Sequence, residues 1–265
     1  MNTHTTYPII FAGAGPGDPD LITVKAAQAL EQADLVLYTG SLVPESILKW
    51  TTDGCQNVSS AGMDLEKITD LLISVQKAGR HVVRLHTGDP SLYGAIFEQM
   101  QVLDEYSIPY QVIPGVTAAF ASAAAMKMEY TLPEITQTLI LTRISGRTPV
   151  PEIEDLKHLA EHRSSLAIYL SAAHLERVSK ILCESYGPDA LCAIAYKVSH
   201  PDEKIIFSSA KDLPEKAKAN RIDRHALIIA GKAVETSLTR SEQVASKLYD
   251  RTFSHGYRPG VAKKS

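Results

Sequence analysis

The sequence predicts an α/β protein of two domains, each a β-sheet flanked by helices, with the first sheet largely parallel and the second mixed. Three observations carry this. Short apolar runs alternate with helical periodicity from residue 8 to residue 126. Runs in that half end in Gly/Pro turns at residues 13–19, 87–90 and 114–117. Beyond Tyr130, two neighbouring strand candidates are joined by Ser199-His200-Pro201-Asp202, turn chemistry that predicts an antiparallel pair. The domains are expected at 1–125 and 126–235, with a tail over 236–265.

The first run, Ile9 to Phe11, is a β segment entering the loop at Gly13. A helix is expected from Thr23, with Val24, Ala27 and Leu30 on its apolar face. Residues 34–38 read as a buried strand. Asp64 opens the clearest helix, in which Leu65, Ile68, Leu71, Leu72 and Val75 recur on one face. Asp64 is placed to cap its start and Gly79 its end. A strand over 81–86 stops at Thr87-Gly88-Asp89-Pro90, and a helix follows over 94–106. A strand at 110–113 then reaches Pro114-Gly115-Val116-Thr117, and an alanine-rich helix covers 118–126. In the second half, strands are expected at 138–142, 166–170, 191–197, 204–207 and 226–230. From Glu235 onward periodicity is weak, and the end, 257–265, is expected to be mobile.

At 265 residues, 45% of them hydrophobic, the chain can bury a sizeable core. Lys+Arg number 27 against Asp+Glu 30, so no global basic field recruits nucleic acid. No run approaches the ~18 apolar residues of a membrane span. Residues 1–6 are polar and lack the apolar stretch of a secretory signal. Cys55, Cys183 and Cys192 are odd in number and form no CxxC, which reads as reduced thiols. A soluble cytoplasmic protein with no metal ligands of its own is expected.

The opening loop fails two phosphate tests. A P-loop ends in Gly-Lys-Ser/Thr, whereas Asp18 follows Gly17. The dinucleotide fingerprint needs a small residue where Asp18 stands. Pro16 removes a backbone donor, and Asp18 and Asp20 add negative charge. Such a loop suits an uncharged or cationic ligand, with a plain connecting turn as the competing reading. In a parallel sheet, the strand ends that precede helices lie along one edge. The three Gly/Pro loops are therefore expected to converge on one crevice.

Gly-Ala-Gly-Pro-Gly-Asp-Pro-Asp-Leu-Ile-Thr (13–23), His-Thr-Gly-Asp-Pro-Ser-Leu-Tyr-Gly (86–94) and Ile-Pro-Gly-Val-Thr-Ala (113–118) resemble the signature loops of the tetrapyrrole methylases. The resemblance covers residues 8–235. It implies S-adenosylmethionine as methyl donor, a corrinoid or porphyrinoid substrate, a homodimer, and a cofactor cleft between the two domains. By motif position, cofactor contacts fall on Pro16, Thr87, Gly88, Asp89, Leu92, Thr117 and Ala118, and further on Leu170 and Val198. Within the family, residues 136–152 and 196–205 resemble the branch that methylates precorrin-4 or cobalt-precorrin-4 at C11 in cobalamin biosynthesis. Some members also carry a tail similar to residues 246–258.

In such a transfer an electron-rich ring carbon attacks the sulfonium methyl in line. The protein chiefly holds the partners in near-attack geometry, a contribution on the order of 7–11 kcal/mol. No catalytic base is assigned. The substrate's carboxylates call for cations. Arg84 and His86, two apart on one strand, share a face and are candidates, with a solvated strand face as the alternative. Arg143 and Arg147 flank Gly146 and are either substrate contacts or surface-loop residues, and Lys197 is a further candidate.

His158-Leu159-Ala160-Glu161-His162 spells an inverted zinc-protease motif, but the charged residues around it favour a solvated helix face. Tyr93, Tyr106, Tyr110 and Tyr130 have no interleaved basic stripe with which to bind RNA. Tyr196 and His200 are placed either to touch substrate or to hold structure. The rival functions are a same-fold methyltransferase acting on ribosomal RNA or a translation factor, and a non-catalytic S-adenosylmethionine or nucleotide sensor. Net acidity counts against RNA, residues 136–152 count against both methyltransferase rivals, and the retained cations count against a sensor.

Overall fold

In the computed structural model, which describes residues 7–40, 43–240 and 245–261, five strands form an all-parallel sheet. They are β1 (Ile9–Gly13), β2 (Leu35–Tyr38), β3 (Gln56–Ser59), β4 (Val82–His86) and β5 (Tyr110–Ile113), in the order β3-β2-β4-β1-β5. The helices between them are α1 (Val24–Glu31), α2 (Leu65–Lys77) and α3 (Ile96–Glu105), and α4 (Ala118–Met126) follows β5. Every residue of β4 is buried, as expected for a parallel strand covered on both faces. On one face Ala12, Val36, Val83 and Leu85 pack with Ala26 and Leu30 of α1. On the other, Ile9, Phe11, Leu35 and Leu37 pack with Leu72 and Ile73 of α2 and Leu103 of α3.

A second, mixed sheet contains β6 (Leu139–Arg143), β7 (Ser165–Tyr169), β8 (Leu191–Tyr196), β9 (Lys204–Ser209) and β10 (Ala226–Ala230). Its order is β6-β7-β10-β8-β9, with β6 and β7 parallel and the other pairs antiparallel. Around it run α5 (Leu156–Glu161), α6 (Leu175–Tyr186), α7 (Leu213–Ala219) and α8 (Lys232–Thr239). The expected antiparallel pair is β8 and β9. The chain divides into two compact units, Met1–Ala121 with Lys197–Glu203, and Ser122–Tyr196 with Lys204–Ser265. The turn between β8 and β9 thus belongs to the first unit.

Several local expectations shift. Thr23 caps α1, its hydroxyl accepting from Ala26 N at 3.2 Å, but Val24 is exposed and the buried face is Ala26 and Leu30. On α2 the expected Ile68, Leu71, Leu72 and Val75 do pack against the core, but Thr69, Ile73 and Gln76 are buried with them and Leu65 stays at the exposed rim. Asp64 caps that helix as expected, and Ala78 closes it ahead of Gly79, whose φ of 75° suits glycine. β3 was not expected at all, because a polar, mostly exposed edge strand carries no apolar pattern. At the other end of the chain, α8 runs into the weakly periodic stretch. The end expected to be mobile is hydrogen-bonded back as far as Val261: Arg258 Nη2 reaches the carbonyls of Leu248 and Asp250 at 2.7 Å each. The polar stretch 1–6 and the last part of the tail, 262–265, lie outside the described residues.

The phase of α2 is testable by mutation. Leu72→Ala empties a fully buried position and is expected to lower unfolding free energy by about 2–5 kcal/mol in denaturant titration. Leu65→Ala is expected to change it by less than about 0.5 kcal/mol.

Candidate active site

Because β4 and β5 both flank β1, the loops leaving these three strands meet at one sheet edge. They interlock through backbone. Gly15 N donates to Gly88 O at 3.3 Å, and Gly88 N returns a bond to Gly15 O at 2.8 Å. Asp89 ties the second loop to the third: Oδ2 accepts from Gly115 N at 2.9 Å, while Oδ1 accepts from Ser91 N at 2.8 Å. Glycine is required here by close approach. A Cβ on Gly13 would stand 2.6 Å from Gly115 Cα, and one on Gly115 would overlap the Gly88 carbonyl. Thr23 Oγ1 adds a longer contact to Pro114 O, 3.5 Å.

Several amides of the first loop are committed in the same way. Ala14 N donates to His86 O at 2.7 Å and Asp18 N to Ser199 Oγ at 2.9 Å. Gly15, Gly88 and Gly115 are committed as above, and Pro16 has no N–H. Negative charge remains at this edge in Asp18 and Asp89. Asp18 Oδ1 caps a short 3-10 turn through Asp20 N at 2.9 Å, and Asp20 pairs with Lys49. An edge whose Gly15, Gly88 and Gly115 amides are committed and which bears the carboxylates of Asp18 and Asp89 fits a cation-bearing ligand.

Most of the expected cofactor positions fall in the first unit. Pro16 is buried in the first loop, and Thr87, Gly88, Asp89 and Leu92 are half-buried in the second. Thr117 is buried at the foot of α4, its carbonyl accepting from Phe120 and Ala121, and Ala118 begins that helix. Val198 is buried in the 197–203 segment. Leu170, in the second unit just after β7, is 64% exposed and held at φ 53°. An exposed leucine with left-handed backbone is strained, and strain of this kind gathers at functional sites.

The expected cations separate. Arg84 is buried inside the first unit, where its guanidinium donates to Gln99 Oε1 (3.2 Å), Leu37 O (3.1 Å) and Ser60 Oγ (3.0 Å). Burial lowers its pKa to about 10, which still leaves it charged at neutral pH. His86 is also buried, near the ring of Phe11. Its Nε2 is unpartnered, and burial, followed by the Arg84 charge, lowers its pKa to about 3. Neither is on the solvated strand face considered as the alternative, because α2 and α3 cover that side of β4. Arg143 donates to the carbonyls of Thr148 (3.0 Å) and Pro149 (2.8 Å), pinning the loop that carries exposed Arg147. Lys197 Nζ pairs with Asp202 at 2.5 Å.

Other structural roles are not legible in the sequence. Asp89 acts as a clamp, a role that Gly-Asp-Pro alone does not reveal. Tyr93 (φ 56°) and Ala95 (φ 49°) are strained at the entrance to α3, beside exposed Phe97. Ser199 reaches the first loop from 181 positions away, and no local pattern could have signalled that.

A parallel sheet with three interlocked glycine loops at adjacent strand ends is the frame of an α/β protein with one candidate ligand edge. The family of Tetrapyrrole (Corrin/Porphyrin) Methylases matches residues 8–214, and the chain belongs to it. A cobalt-precorrin-4 C(11)-methyltransferase of Methanocaldococcus jannaschii is 46% identical over 96% of this chain and 97% of its own. A precorrin-4 C(11)-methyltransferase of Pseudomonas aeruginosa is 46% identical over 95% and 99%. Among solved structures, a cobalt precorrin-4 methyltransferase described as a cobalamin biosynthetic enzyme superposes with a TM-score of 0.85 at 42% identity, covering 88% of this chain and 98% of that one. A uroporphyrin-III C-methyltransferase of Thermus thermophilus complexed with S-adenyl homocysteine gives 0.70 at 25% identity, over 87% and 94%.

The buried histidine makes a pH prediction. Unfolded, His86 takes up a proton below about 6.5, whereas folded it does so only near 3. Its contribution to stability is therefore present above pH 6.5 and is lost as pH falls from 6.5 toward 3. Stability is expected to drop by up to ~1.4 kcal/mol per pH unit in that window from this residue. Denaturant titrations of His86→Gln across the same range should show a shallower slope.

Proposed function

We propose that the chain is an S-adenosylmethionine-dependent methyltransferase that methylates precorrin-4 or cobalt-precorrin-4 at C11 in cobalamin biosynthesis. The observation that carries this is the near-full-length match to C(11)-methyltransferases of cobalt-precorrin-4 and precorrin-4, and the interlock of Gly13, Gly15, Gly88, Asp89 and Gly115 supplies the candidate cofactor edge. Relatives named for the cobalt-bound and the metal-free substrate match at the same 46% identity, so the reading covers both forms. Bound there, S-adenosylmethionine supplies an electrophilic methyl on a sulfonium cation. Pro16, Thr87, Gly88, Asp89, Leu92, Thr117, Ala118, Leu170 and Val198 are the positions proposed to hold it.

The carboxylates of Asp18 and Asp89 complement the cofactor's positive charge by proximity. Asp89 also keeps the second and third loops in register while doing so. Among the cations, Arg147 is the one whose exposed position supports a carboxylate-binding role. Arg143 presents it by holding Thr148 and Pro149. The bonds of Arg84 to Gln99, Leu37 and Ser60 support a structural part for that residue instead, and its neighbour His86 is enclosed with it. The Asp202 pair likewise ties up Lys197. A homodimer in the cytoplasm completes the proposal, resting on the family resemblance and on cysteines that are all free.

The test is incubation with methyl-labelled S-adenosylmethionine and metal-free or cobalt-bound precorrin-4, followed by mass and NMR analysis of the product. One labelled methyl at C11 is expected. Label in added RNA, or at another ring carbon, would overturn the assignment. Arg147→Ala is expected to raise the tetrapyrrole KM about 10-fold or more, leaving the methyl donor's KM within about 2-fold.

A further inference from the structure

We infer that Lys197–Glu203 is a clasp on the first glycine loop, and that His200, aided by Ser199, is a positioning residue for methyl-donor binding, an inference that rests on the function proposed above. The clasp meets the loop at consecutive residues. The His200 imidazole packs against the Pro16–Gly17 backbone, where burial lowers its pKa and the Pro16 carbonyl opposes that shift. Its imidazole fills the space beside Gly17, so that a Cβ there would stand 2.6 Å from Nε2. Ser199 Oγ accepts from Asp18 N at 2.9 Å. Pro16 can offer only its carbonyl, Gly17 has no side chain, and the Asp18 amide is spoken for. The loop's conformation at 16–18 is therefore dictated from outside its own sequence.

The clasp is itself braced. Ser199 N donates to Glu203 Oε2 at 2.6 Å, His200 N to Lys197 O at 3.0 Å, and Glu203 N to His200 O at 3.0 Å. Lys197 Nζ bonds Asp202 at 2.5 Å. Lys197 and Ser199 hold φ of 44° and 65°, conformations that persist only where surrounding bonds over-determine them. Buried Val198 lies between them. The proposed cofactor positions Pro16 and Val198 thus belong to one braced assembly, although 182 positions separate them in the chain.

The experiment compares the full-length wild type with His200→Ala, His200→Asn and Ser199→Ala. S-adenosylhomocysteine affinity is measured by calorimetry, both KM values by steady-state kinetics, and amide exchange over residues 14–18 by mass spectrometry. His200→Ala is expected to weaken S-adenosylhomocysteine and raise the methyl donor's KM by about 10-fold, with the tetrapyrrole KM unchanged. His200→Asn, which keeps a donor, is expected to recover part of the loss. Exchange at 14–18 is expected to rise in both His200→Ala and Ser199→Ala. Unchanged affinity in His200→Ala, or equal rises in both KM values, would overturn the inference. If the wild type itself fails to bind S-adenosylhomocysteine, the function proposed above falls, and exchange alone decides the clasp: no rise in either alanine variant would refute it. If His200→Ala does not fold, Ser199→Ala and His200→Asn carry the same comparison.

Discussion

The hydrogen bond from Gly115 N to the Asp89 carboxylate is the constraint on which the candidate site depends. It joins loops that leave strands on opposite sides of β1, and it does so where Gly13 of that strand packs against Gly88 and Gly115. With Asp89 in place, the backbones of Gly13, Gly88 and Gly115 approach more closely than any Cβ would allow. The consequence is chemical as well as steric. Amides used to hold the loops together are unavailable to a phosphate, while carboxylate charge accumulates. A phosphate-binding α/β edge does the opposite, turning its free N–H groups outward.

Much of the first sheet was legible because buried parallel strands are short apolar runs bounded by Gly and Pro. β1, β4 and β5 and their loops announce themselves in that way, and the pairing of β8 with β9 follows from its turn. What escaped was whatever lacks an apolar signature. β3 is Gln-Asn-Val-Ser at an edge, and α8 lies where periodicity fades. The expected face of α2 packs through Ile68, Leu71, Leu72 and Val75, and the buried side widens to take in Thr69, Ile73 and Gln76. Gln76 is satisfied by the Tyr7 carbonyl at 2.8 Å, a partner far away in sequence.

The cations show the limit most clearly. Spacing put Arg84 and His86 on one face of a strand, and they do share it. Spacing could not say that the face is roofed by helices, nor that Gln99 and Ser60 wait there for the guanidinium. A charged group enclosed and held by three hydrogen bonds in this way is fixed in one place, and losing a partner would leave it less compensated. Arg143 is likewise turned inward, onto its own loop. Arg147 remains on the surface, where chemistry with a polycarboxylate is possible. The first loop is shaped in part by Ser199 and His200, contributed by a turn between strands of the other sheet.

The most direct test of the interlock as a donor-poor, cation-accepting site is competitive calorimetry with S-adenosylhomocysteine, S-adenosylmethionine, ATP and NAD on the intact protein. Binding of the two sulfur ligands, undisturbed by a large excess of ATP or NAD, is the predicted result. Tight binding of ATP or NAD that displaces S-adenosylmethionine would contradict it, because such a site must keep free the very amides that here hold the loops together.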